Sequence, residues 1–85
     1  MSACEAGFHF NSWARELLSR SESERAEAIV RGRIAAGLTQ EQLARVSGYS
    51  VATVQRVERL GTCHPRTLSD LCDSIERVTD RLLIS

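Results

Sequence analysis

An 85-residue chain with 11 basic and 11 acidic residues has a formal net charge of zero and room for one domain. No apolar run approaches the ~20 residues that span a bilayer, and so small a core leaves stability modest. The start of the chain, Met1 to Glu5, holds neither a basic region nor an apolar stretch, so no secretion signal is read there and a cytoplasmic location is expected.

Residues 1–9 show little periodicity and are expected to fray. Asn11 or Ser12 can cap a short helix to about Ser19, with Phe10, Trp13 and Leu17 on one side. The Trp13 ring needs a partner surface, either its own domain or a second copy. Ser21 and Glu24 have capping-box spacing ahead of a helix to about Ala36, with Ala26, Ile29, Val30 and Ile34 at helical intervals and Gly37 as its stop. Arg31 and Arg33 on its last turns complement the helix dipole.

From Leu38 to Arg59 two short helical patterns meet at a Gly-containing break. Thr39 caps the first, with Gln42 three residues on, and Leu43, Ala44 and Val46 are its expected apolar face. Gly48 can enter the left-handed region that a tight reversal needs. Ser50 caps the second, and Val54 with Val57 is its inward edge. The small Ala44 lets the two helices cross closely. The pair reads as a helix-turn-helix, with a plain αα-hairpin as the alternative.

Leu60 to His64 reads as a loop, and Pro65 suits the first turn of a last helix. Leu68, Leu71, Ile75, Val78 and Leu82 then recur at spacings of 3, 4, 3 and 4. Leu68, Leu71, Cys72 and Ile75 are expected to cap the core, while Val78 to Ile84 runs beyond what that core needs. Thr79 or Asp80 could cap a separate final turn. The expectation is all-α: five helices, or six if that turn is separate. Residues 1–20 form a tail and short helix, 21–77 the main domain with its motif at 39–59, and 78–85 a C-terminal extension.

The motif resembles the DNA-binding segment of the Cro and phage-repressor (XRE-type) family. Gln40, Ala44, Gly48, Val54 and Val57 stand where that family has Gln opening the first helix, Ala four residues later, the turn Gly, and branched apolar residues in the second helix. The flanks Ala36-Gly37-Leu38 and Val57-Glu58-Arg59, then Pro65 and Thr67-Leu68, fit as well. The resemblance implies a lambda-repressor-like fold and a transcriptional regulator binding double-stranded DNA. In its simplest form that is a repressor on a palindromic operator, acting as a homodimer, like small stand-alone members from phages, plasmids and toxin–antitoxin loci. Tyr49 departs from the smaller apolar residue usual at the turn; its hydroxyl reaches a phosphate, or its ring only covers the core.

A helix-turn-helix lays its second helix in the major groove with N-terminal residues at base edges. By the resemblance, Val51, Ala52 and Arg56 take base-contacting positions, with Gln55 close by. The Arg56 fork suits guanine O6 and N7, and Val51 and Ala52 suit a thymine methyl. Gln40 and the backbone N–H groups near it can hold a phosphate, with Ser50, Thr53, Arg59 and Arg66 as further phosphate candidates. The charge distribution agrees. Residues 31–66 hold six Arg and two Glu, a balance of +4, while residues 1–30 and 67–85 each balance at −2. Every basic residue is Arg, which suits phosphate and guanine, although genome composition gives the same bias.

Val78, Leu82 and Leu83 are expected in a dimer interface, with the Trp13 helix as the competing surface. The acidic ends leave a second class open, an antitoxin-like adaptor whose main partner is a protein. Cys4, Cys63 and Cys72 form no Cys-x-x-Cys pair, and His9 and His64 complete no four-ligand set, so neither metal nor cofactor is expected. Cys72 reads as core, and Cys63 with His64 as surface loop. No nucleophile with a base and an orienting partner is legible, so the chain is not read as an enzyme.

Overall fold

The computed structural model describes residues 10–84, with side chains as far as residue 82. Expectations for residues 1–9, with Cys4 and His9, and for the Leu83 side chain lie outside the described residues. Those residues form five α-helices and no strand: α1 (Ser12–Leu18), α2 (Glu22–Ala35), α3 (Gln40–Ser47), α4 (Val51–Leu60) and α5 (Pro65–Ile84). The five-helix expectation holds and the six-helix version does not. Thr79 sits inside an unbroken α5, where its hydroxyl donates to the Ile75 carbonyl at 2.9 Å instead of capping a new turn.

Each helix start is set by a side chain that satisfies an otherwise unpaired backbone N–H. Asn11 Oδ1 accepts from Ala14 N–H at 3.0 Å, and Ser50 Oγ accepts from Thr53 N–H at 3.1 Å. Both capping boxes are complete, Ser21 with Glu24 and Thr39 with Gln42. At α5, Pro65 occupies the first position and His64 Nδ1 accepts from Arg66 N–H at 3.1 Å.

The core lies where α2, α3, α4 and α5 converge. Ile29, Leu43, Val54, Val57, Leu68, Leu71 and Cys72 are fully buried, and Ala44 and Ile75 nearly so. Ala44, expected at the crossing of α3 and α4, is 4% exposed within this core. α1 adds Ala14 and Leu17 to the same core and packs along α5. Its Asn11 is itself buried: the backbone N–H donates to Ser69 Oγ at 2.9 Å, and Nδ2 donates to Asp73 and Glu76, both at 2.7 Å.

Three expectations need correction. Val46 is 42% exposed and Ile34 61% exposed. At ~100° per residue each falls about 110° from the inward direction of its helix, set by Leu43 and Ala44 in α3 and by Ala26 and Ile29 in α2. Cys63 is less exposed than expected of a surface loop: it is half-buried and packs against the core. Burial pushes its thiol pKa up, and that of Cys72 much further.

Candidate nucleic-acid interface

Gly48 closes α3 at φ +81°, and both its N–H and that of Tyr49 return to the Ala44 carbonyl, at 3.0 and 3.1 Å. The side of Gly48 is open, so only the backbone angle requires glycine there. Tyr49 then ties the turn to α5, its hydroxyl donating to Asp70 Oδ2 at 2.6 Å. That hydrogen bond to a carboxylate, together with burial, raises the phenol pKa.

The α4 helix divides cleanly. Val54 and Val57 are fully buried, while Ala52, Gln55, Arg56 and Arg59 are exposed. Val51 and Thr53 are half-buried: Val51 packs on the core, and Thr53 Oγ1 lies 2.9 Å from the capping Ser50 hydroxyl. Arg56 and Thr53 line one wall of a cleft of about 280 Å³, whose far side is formed by His64 and Thr67 at the start of α5. Since His64 Nδ1 accepts from backbone, a neutral ring carries its proton on Nε2. Arg66, beside it, is exposed.

On the other flank of α4 a polar chain runs back into the domain. Glu58 is held by Arg33 of α2, with Nε donating to Oε2 at 2.6 Å and Nη2 to Oε1 at 3.1 Å. Gln40, half-buried at the start of α3, donates from Nε2 to Glu58 Oε1 at 2.9 Å. Its Oε1 accepts from Gln55 Nε2 at 3.4 Å. Arg33 therefore does more than complement a helix dipole, since it also donates to the Leu38 carbonyl at 2.9 Å.

These pairings redistribute the charge seen in the sequence. Arg33 is neutralised by Glu58 and Arg31 pairs with Glu27 at 2.7 Å. Arg25 is occupied by carbonyls of Leu17, Arg20 and Gly61. Arg45, Arg56, Arg59 and Arg66 stay exposed around the motif, with Glu41 as the exposed acid there. The one acid of α4 is turned inward, so the outer face of that helix carries two Arg and no carboxylate.

The surface around Trp13 differs. Trp13 packs over α2 so closely that a Cβ at Gly32 would lie 2.7 Å from its ring. With Gly32 and Ile75 it floors an open groove of about 670 Å³ rimmed by Glu16, Glu76 and Asp80. Trp13 is thus packed on its own domain, while Leu82 is 56% exposed toward the end of α5 and Val78 is half-buried against the core.

The roles of Glu58, Asp70 and Gly61 are not legible in the sequence. Glu58 left a trace as the sole acid of the second helix; the other two left none. Among the described residues no group of three or more His, Cys, Asp or Glu could hold a metal ion, and no helix is long and apolar enough to cross a membrane. A family model described as a helix-turn-helix domain matches residues 24–81, from the first turn of α2 to near the end of α5. No curated protein and no solved structure matches the chain.

Proposed function

The chain belongs to the helix-turn-helix domain family, and from that premise we propose that it is a sequence-specific DNA-binding transcriptional regulator. In this reading it is a cytoplasmic repressor that binds a palindromic operator as a homodimer. The observation that carries it is the outer face of α4, where Ala52, Gln55, Arg56 and Arg59 stand exposed over a buried Val54–Val57 edge and the only carboxylate is withdrawn. Such a helix can enter a major groove without acid facing phosphate.

Arg56, Gln55, Ala52 and the more covered Val51 are the base-facing residues in this reading. Gln40, Ser50, Thr53, Arg59 and Arg66 flank them as phosphate contacts that set orientation. Half-sites one helical turn apart, about 34 Å, need two such helices on successive major-groove faces, and in this reading two subunits paired through the end of α5 supply them. The exposed Leu82 supports that interface, with Val78 beneath it and Leu83 as the next residue along.

The groove over Trp13 favours a second reading, an antitoxin-like adaptor whose main partner is a protein. Its apolar floor and its rim of Glu16, Glu76 and Asp80 suit a basic helical segment. Co-purification from the native host separates the two: a stoichiometric partner protein favours the adaptor, and a free dimer the repressor.

Selection of bound duplexes from random DNA tests the main reading. Enrichment of an inverted repeat with half-sites about one helical turn apart is expected. Failure to enrich any sequence would overturn it.

A further inference from the structure

We propose that Gln55 reads adenine, held in the reading orientation by a relay that runs from Arg33 through Glu58 and Gln40. The inference rests on the DNA-binding reading above and adds to it the base read and the residues that position the reader.

The direction of the relay follows from which groups can donate. A guanidinium has donors only, and the carboxylate it holds has acceptors only. Arg33 occupies both Glu58 oxygens, at 2.6 and 3.1 Å. The atom of Gln40 that meets Glu58 Oε1 at 2.9 Å must therefore be its amide nitrogen. That turns Gln40 Oε1 the other way, where it can only accept. Gln55 must in turn present its amide nitrogen to Gln40, as it does at 3.4 Å. An amide that could flip in isolation is given one polarity by a buried charge two residues removed from it.

What remains of Gln55 is one carbonyl oxygen and one N–H, on an exposed residue of α4. Adenine is the base whose major-groove edge offers a matching acceptor and donor, N7 and the N6 amino group. Guanine presents two acceptors, N7 and O6, and would set one of them against the fixed carbonyl of Gln55. A phosphate, with acceptors only, meets the same mismatch. Gln55 is thus the base-contacting residue here, and Gln40, Glu58 and Arg33 are positioning residues.

The test uses duplexes enriched by the full-length protein. A Gln55→Ala variant identifies the base pair that Gln55 reads as the one whose preference disappears. Wild type should require adenine there. Guanine should weaken binding roughly 5- to 150-fold, and 7-deazaadenine, which lacks N7, by a smaller factor. Gln40→Met keeps the length of the side chain but not its polarity, so Gln55 is free to flip. Its adenine-to-guanine ratio should fall toward one with the melting temperature near wild type; loss of the Gln40 phosphate contact alone would weaken both duplexes equally and leave the ratio intact. A merely structural Gln40 would change the melting temperature and leave the ratio alone. The inference is overturned if no base preference depends on Gln55, if the dependent base is not adenine, or if Gln40→Met keeps the full ratio. Failure to enrich any duplex would overturn the DNA-binding reading itself, and the inference with it.

Discussion

Arg33 and Glu58 face each other across the α2–α4 contact as a two-pronged ion pair, with side chains only 14% and 6% exposed. Removing one partner leaves a buried charge unpaired. Arg33→Met or Glu58→Leu alone should therefore destabilise by about 3–5 kcal/mol, whereas the double variant should recover much of that loss. Urea unfolding of the three variants reads this directly. Additive losses in the double variant would mean that the pair is not coupled.

Gly61 and Gly48 both close helices at positive φ, +72° and +81°, yet their surroundings differ. A Cβ at Gly61 would run into the Glu22 carbonyl, and the Gly61 carbonyl itself receives Arg25 Nη1 at 2.8 Å. At Gly48 nothing lies within 4 Å. Gly48→Ala should cost about 1–2 kcal/mol from the left-handed backbone alone. Gly61→Ala should cost distinctly more, because backbone has to move. Thermal melts of the two variants in that order support the assignment; equal melts would contradict it.

Alkaline pH should loosen the fold. The phenol of Tyr49 and the thiols of Cys63 and Cys72 all have raised pKa values in the folded protein. A raised folded-state value means that stability is fully present below the unfolded pKa and is lost as pH rises beyond it. For Cys72, which is fully buried, the loss between pH 9 and pH 10.5 should be roughly 2 kcal/mol. Cys72→Ala should flatten that slope even if it lowers stability at pH 7 by leaving a small cavity. An unchanged slope in this variant would place the alkaline sensitivity elsewhere.

Asn11 joins the start of α1 to three side chains of α5 while capping its own helix. Asn11→Ala should cost about 2–4 kcal/mol, combining a lost cap with two lost charge-assisted hydrogen bonds to the part-buried Asp73 and Glu76 carboxylates. Loss of only a cap's worth, about 1 kcal/mol, would show that the α5 carboxylates turn to water without penalty.

The helices, their caps and the motif were legible because each depends on residues three or four apart: Thr39 with Gln42, Ser50 with Thr53, Val54 with Val57. What the sequence hid depends on distance along the chain. Glu58 meets Arg33 from 25 residues away, Arg25 meets Gly61 from 36, and Asn11 meets Glu76 from 65. Ile34 and Val46 show a related failure, since apolar character at nearly helical spacing does not fix the inward direction. Leu82 was legible as part of a heptad pattern. Its partner Val78 was expected to be free for a second copy, but it is half-buried in its own subunit. An Asp at Val78 would therefore damage the fold, and Leu82→Asp is the cleaner probe. It should give a folded monomer by sedimentation, with much weaker operator binding.

Base reading by α4 is measured most directly by the ratio of affinities for an enriched duplex and an unrelated one. Wild type should favour the enriched duplex by 10³-fold or more at physiological salt. Arg56→Ala should lose about 1–3 kcal/mol on the enriched duplex and little on the unrelated one. Equal affinity of wild type for both duplexes, or equal weakening of Arg56→Ala on both, would contradict base reading by this helix.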